Sequence, residues 1–342
     1  MRGFNRREFI ASALALGSSY VWGASPKSLD PVDPNMRFGI TGALWGDWPN
    51  GNLRMSTDMQ QIISDTARFG LQGIEPYARQ LGDFESRPLA LKQLCEASGI
   101  SLIDVGDLPP SHLRTKAGSN PNPWISPEGN AELIAAMVNF AHDFLALCGC
   151  DHWKTNMGSR PQGGPSDDQL KILANTLNEI GRQTIAFGVR LAPHPHIWGP
   201  MEREHDMRKV MDLTDPKYVY LTADTAHLTL GGGDALQIIR DYFPRIAEVH
   251  LKDTYPRYRG NAATPTQAEH AKASLYHNLG AGGVDFPAIF KLLRDRKFKG
   301  WVVYDLDAPR PGDGSIEENL AVNINYLRNV LHIRLPPPPQ HA

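Results

Sequence analysis

Short apolar runs alternate with longer amphipathic stretches along almost the whole chain, the pattern of repeated units in which a buried parallel strand feeds a covering helix. Eight runs read as strands: 37–44, 73–77, 101–105, 152–156, 189–194, 219–224, 246–251 and 301–306. Helical periods lie between them, with Leu133, Met137, Phe140 and Phe144 on one face, Leu170, Leu173, Leu177 and Ile180 on another, and Leu320, Ile324, Leu327 and Leu331 on the last. Gly70, Gly99, Gly188 and Gly300 sit where a left-handed residue would turn a helix back toward its strand. Eight such units predict a single closed (β/α)8 barrel of the α/β class over residues 36–334. Two connections, 106–127 and 254–283, are too long for plain turns, and loops of that size usually cover a site.

The ends of the chain read differently. Asn5-Arg6-Arg7-Glu8-Phe9-Ile10 followed by a small-residue-rich apolar run resembles a twin-arginine export signal over 1–24. That run falls short of the ~20 strongly apolar residues of a confident membrane span, so no stable membrane insertion is expected once the signal is removed. A Pro-containing linker over 25–35 precedes the barrel, and a Pro-rich tail over 335–342 follows it. The implied destination is the periplasm or the medium.

Composition narrows the function. The 41% hydrophobic and 21% charged content suits a globular core, and the net charge of -2 falls further once the three arginines and one glutamate of the leader are discounted. No basic face is indicated, which argues against a nucleic-acid partner. Cys95, Cys148 and Cys150 form no disulfide framework and read as small buried hydrophobes. A small-molecule ligand is the expected partner, and a homo-oligomer is left open.

In a β/α barrel the chemistry gathers where strands end, and four successive ends here are polar. The fifth unit ends in Pro193-His194-Pro195-His196, the sixth in Asp224-Thr225-Ala226-His227, the seventh in His250-Leu251-Lys252-Asp253 and the eighth in Asp305-Leu306-Asp307. His194, Asp224, His250 and Asp305 would converge as ligands of one divalent ion (Mn, Co, Zn or Mg) with positions left for substrate oxygens. Taken singly, each is equally a hydrogen-bonded histidine or a helix-capping aspartate; the weight lies in all four being at strand ends.

Over roughly 36–333 the sequence resembles the xylose isomerase-like TIM barrels, the sugar phosphate isomerase and epimerase family that includes inosose dehydratase-like members. The resemblance rests on Asp224-Thr225-Ala226-His227, Val249-His250-Leu251-Lys252-Asp253, Leu279-Gly280-Ala281-Gly282-Gly283-Val284-Asp285-Phe286 and Gly300-Trp301-Val302-Val303-Tyr304-Asp305. It implies that Asp224 and His250 occupy metal-ligand positions, and that His227 and Asp253 contact substrate or support the ligands. Two departures stand out: the family's glutamates on strands five and eight, which double as its acid/base pair, are His194 and Asp305 here.

With that pair missing, the base falls to His196, Asp307, Lys252 or Glu75, a metal-bound imidazole being a poor one. Lys154, Arg257 and Trp45 join His227 and Asp253 as candidate substrate contacts, the tryptophan by stacking on a sugar face, with Trp48 beside it. His112, His152 and Asp104 lie at or beyond other strand ends and read as exposed or capping side chains. The resemblance implies first a metal-dependent isomerase or epimerase that abstracts a proton beside the carbonyl of a keto sugar or keto cyclitol through an enediolate. A dehydratase or lyase on a keto sugar, keto glycoside or inosose is the alternative; an endonuclease-like hydrolase and a non-catalytic periplasmic sugar-binding protein are further ones.

Overall fold

Eight parallel strands form where the apolar runs predict them, all but the seventh shorter than their runs. A computed structural model describes residue 33 and residues 35–108 and 121–335. The expected export signal, nearly all of the linker, most of the Pro-rich tail and His112 lie outside the described residues. The strands are β1 (Met36–Thr41), β2 (Gly73–Glu75), β3 (Ser101–Leu102), β4 (His152–Thr155), β5 (Arg190–Pro193), β6 (Leu221–Asp224), β7 (Ile246–Leu251) and β8 (Gly300–Tyr304).

Six of them form one parallel ladder in the order β3-β2-β1-β8-β7-β6, with β1 joined to β8 from Met36 opposite Gly300 to Ile40 opposite Tyr304. The remaining pair, β4 and β5, joins that ladder through a parallel bridge between Leu191 and Val219. Only the β3–β4 seam lacks a backbone ladder among the described strands. There the Trp153 indole donates to the Val105 carbonyl at 2.8 Å, and the Lys154 amide donates to the Asp104 carboxylate. This explains why β3 is two residues rather than the expected five: past Leu102 the wall is closed by side chains.

The outer helices bury their predicted stripes. In α1 (Met59–Arg68) the Asp58 side chain caps the first turn by accepting from the Gln61 amide. In α4 (Asp167–Thr184) Ser166 and Gln169 form a reciprocal capping box, and Leu170, Leu173, Leu177 and Ile180 are all buried. Leu133, Met137 and Phe140 of α3 (Asn130–Phe140), and Phe144 in the π turn that continues it, pack the same way. Gly70 and Gly99 adopt φ of 77° and 73°, the left-handed turns expected there, whereas Gly300 is itself the first residue of β8. All three cysteines are free and buried, as expected.

The barrel floor is apolar. Ile103, Trp301 and Val303 form a buried cluster separate from the main core, and Arg37 lies over the Trp301 ring at 4.1 Å. Glycine at 73 makes room for it, since a Cβ there would stand 2.5 Å from the indole. Apolar side chains fill the interior at that end, leaving the strands' carboxyl ends for chemistry.

Candidate active site and metal cradle

Side chains alternate along a strand, so Glu248, His250 and Lys252 of β7 and its extension share one face. That face is the barrel interior, where Glu248 and His250 are fully buried and Lys252 is 3% exposed. Glu75, Lys154, His194, Asp224 and Asp305 enter the same space from β2, β4, β5, β6 and β8.

Three of the four residues expected to share an ion, His194, Asp224 and His250, converge, and Asp305 stands beside His250. His194 Nε2 lies 3.5 Å from Asp224 Oδ2, His250 Nδ1 lies 3.7 Å from that same oxygen, and His250 Nδ1 lies 3.4 Å from Asp305 Oδ2. Two ligands bound tetrahedrally at about 2.1 Å stand about 3.4 Å apart, so these gaps suit one small divalent ion. His194 Nε2, Asp224 Oδ2 and His250 Nδ1 are each buried without a hydrogen-bond partner, a costly arrangement for three convergent atoms unless a cation joins them.

The opposite edges of these side chains are tied down. His194 Nδ1 donates to Asn156 Oδ1 at 2.8 Å, and His250 Nε2 donates to Glu75 Oε2 at 2.9 Å. Each contact leaves a bare nitrogen facing Asp224. Asp224 accepts from the His227 amide through Oδ1 at 2.8 Å, capping α6 (Thr225–Leu230), so only Oδ2 is available. Thr41 Oγ1 donates to Asp305 Oδ1 at 2.9 Å.

The electrostatics of Asp224 and His194 fit the same arrangement. At His250, by contrast, burial is outweighed by Glu75 and Glu248, which hold the ring well above the usual imidazole range, so that an ion there would have to displace a proton. Burial, and then the neighbouring Asp305, push Asp224 up to about 6, the response of a buried carboxylate crowded by another. Burial, and then the Lys154 ammonium, hold His194 well below the usual imidazole range, keeping it neutral and able to ligate. Burial opposes the charge on Lys252, but Asp305 and Asp307, at 3.1 and 3.2 Å from Nζ, hold its proton far above the usual range.

Other expected residues divide. His196 is half-buried at the mouth; its Nδ1 faces the Ile197 carbonyl, leaving Nε2 bare, and burial pushes the ring down to about 4. His227 packs its ring between His196 and Tyr276, with centroids 3.9 and 5.4 Å away. Asp307 meets Lys252 and, at 3.6 Å, His270. Glu75 and Lys154 pair at 3.0 Å in full burial, so Glu75 orients His250 rather than standing free as a base. Lys252, held as an ammonium by Asp305 and Asp307, is not suited to the role of base expected from sequence.

Three expected substrate contacts are displaced. Trp45 is 3% exposed in the core, its indole donating to Asp65 Oδ2 at 3.0 Å. Arg257 is exposed and stacks over Tyr255 and Tyr258 at 4.6 and 5.0 Å. Asp253 accepts from the amides of Gly280, Gly282, Gly283 and Val284 at 2.8 to 3.1 Å, clasping the loop after β7. The Gly-Ala-Gly-Gly segment is thus the partner of Asp253.

The sequence reading missed Glu248, Asn156, Thr41 and His270. Alternation along β7 from His250 and Lys252 would have found Glu248. His270 comes from α8 (Gln267–Lys272), inside the long 254–283 connection, with its ring 5.9 Å from Trp48 and 5.8 Å from Trp198. Trp198 holds a positive φ of 68°, rare for a bulky residue and typical of strained site loops.

Closed parallel staves and a cation cradle at their carboxyl ends define a metal-site β/α barrel. More narrowly, the chain belongs to the xylose isomerase-like TIM barrel family, which residues 63–330 match. Inosose dehydratase from Clostridium botulinum is 29% identical over 144 residues, covering 42% of this chain and 48% of the relative, so the chain spans about half the length of such curated relatives. Inosose dehydratase from Klebsiella pneumoniae is 26% identical over 293 residues, covering 80% and 90%. Among solved structures, the IolI protein with a bound zinc atom superposes with a TM-score of 0.65 at 14% identity, covering 86% of this chain and 98% of that one. The 3-keto-D-glucoside 4-epimerase of E. coli gives 0.61 at 16%, covering 86% and 99%. The structural likenesses show the fold.

Proposed function

We propose that this chain is a divalent-metal-dependent carbohydrate lyase that removes a proton beside the carbonyl of a keto sugar, keto glycoside or keto cyclitol and expels the oxygen one carbon further on. The observation that carries it is the convergence of three unpartnered ligand atoms, on His194, Asp224 and His250, with Asp305 beside them. A divalent ion held there supplies Lewis acidity to the substrate oxygen that gains charge.

The chain supplies one base and one acid. His196, neutral with a bare Nε2, takes the proton from carbon; the C–H electron pair forms the new double bond as the C–O bond breaks, and Lys252 donates its proton to the departing oxygen. The isomerase outcome ranked first on resemblance needs a base able to return the proton to carbon. Here the strand-five and strand-eight positions are a histidine fixed by Asn156 and an aspartate bound by Thr41 and Lys252, which favours elimination. The inosose dehydratase names of the relatives point the same way.

The twin-arginine pattern supports export, and free or glycosidic sugars suit that location better than phosphorylated ones. Metal-loaded protein incubated with keto sugars and keto glycosides in heavy water tests the reading by NMR. Elimination products are expected. Deuterium in recovered sugar without elimination would move the assignment to an epimerase, and neither exchange nor elimination would overturn both.

A further inference from the structure

Beneath the cradle, nearer the apolar floor, lies a second group of ligand-type side chains that the proposed chemistry does not use: Asp104 at the β3–β4 seam, His152 on β4 and Glu248 on β7. All three are fully buried. Each offers a ligand atom within 4.8 Å of the other two. His152 Nε2 lies 3.5 Å from Glu248 Oε2, the spacing noted above for two ligands of one small ion.

Three atoms here lack any hydrogen-bond partner: Asp104 Oδ1, His152 Nε2 and Glu248 Oε1. The far edges of two of these residues are anchored. His152 Nδ1 meets Asp151 Oδ1 at 2.7 Å, and Asp104 Oδ2 accepts from the Lys154 amide. This repeats the upper arrangement, in which a fixed outer edge presents a bare atom inward.

Charge balance calls for a cation at the deeper group, either a metal ion or a proton on His152. Five buried carboxylates line the interior (Glu75, Asp104, Asp224, Glu248 and Asp305) against two buried ammonium groups, Lys154 and Lys252, and two imidazoles within ion-pair reach, His152 and His250. A divalent ion in the upper cradle would take the place of a proton on His250, and one at the deeper group would take the place of a proton on His152. Lys154 is not available to Asp104 and Glu248, because its ammonium is engaged by Glu75 at 3.0 Å. Like charges in a water-poor interior are expensive to keep ionised without a cation.

We infer that Asp104, His152 and Glu248 form a second divalent-cation site inside the barrel, beneath the upper cradle. One imidazole and two carboxylates suit zinc or manganese, and the closed surroundings suit a structural ion rather than one that meets substrate. The competing occupant is a proton, with His152 as an imidazolium bridging to Glu248.

Full-length protein stripped with chelator, reloaded with zinc chloride and desalted tests this by elemental analysis. Wild type is expected to retain two zinc ions per chain, and His152→Gln and Asp104→Asn one each, with circular dichroism confirming that the variants fold. His194→Ala, which touches only the upper cradle, should also retain one. One zinc in wild type, two in either folded lower-site variant, or none in His194→Ala would overturn the inference. If both lower-site variants fail to fold, the wild-type and His194→Ala counts still decide. Two zinc ions without turnover of any keto sugar would sink the proposed lyase and leave this site standing, whereas turnover with a single zinc would do the reverse.

Discussion

His250 Nε2 stands 2.9 Å from Glu75 Oε2, and this contact between β7 and β2 turns the other imidazole nitrogen toward Asp224 and Asp305. Glu75 would therefore act on an ion held there through His250. Glu75→Gln should keep the shape and lose the charge, weakening zinc binding about 10-fold, at the lower end of the range for such outer partners. Competition against a chromophoric chelator measures it; unchanged affinity would show that the contact does not orient the ligand.

Lys252 reaches Asp305 and Asp307 together and is the proposed proton donor to the departing oxygen. Lys252→Met should reduce kcat on a keto glycoside by roughly 10²–10⁴-fold while the zinc content is retained. The loss should shrink sharply when the leaving group is a nitrophenolate, which departs without a proton. An equal loss on both substrates would assign Lys252 to positioning alone.

Asp253 was expected against substrate and instead gathers four backbone amides. Hydrogen bonds to a buried carboxylate contribute about 1.5–3 kcal/mol each and are not additive, so Asp253→Ala should cost at least about 3 kcal/mol. Urea unfolding of metal-loaded protein measures it, and a change under about 1 kcal/mol would contradict the clasp.

Burial pushes the thiols of Cys95 and Cys148 up to about 12, and that of Cys150 well above the usual thiol range. Thiolate is the reactive form, so at pH 8 the native protein should leave all three unmodified by a disulfide-exchange reagent. Three should react in denaturant. Fast native labelling of any one would place that residue in a more open setting.

The barrel was legible because buried strands and amphipathic helices write different periods into the chain, and Leu170 through Ile180 need no tertiary information to be read as a core stripe. The cation cradle was legible for a related reason: His194, Asp224, His250 and Asp305 all close an apolar run. Glu248 was not, since a charge in mid-strand carries no mark of which face it occupies until its neighbours are assigned. Asn156 and Thr41 matter through partners 38 and 264 residues away, a pairing that no local pattern encodes. Trp45 and Asp253 show the opposite failure, residue types suited to sugar binding that the fold uses for packing and for a loop.

The plug of Ile103, Trp301 and Val303 fills the floor of the interior with apolar side chains, away from the strand ends where the cradle lies. An ion lodged just above that plug and reached from the strand ends would pass the upper cradle first, so filling and draining would proceed in a fixed order. A chelator acting from solvent would strip the outermost occupant first, and slow release of anything deeper would reflect the route rather than the strength of its ligands.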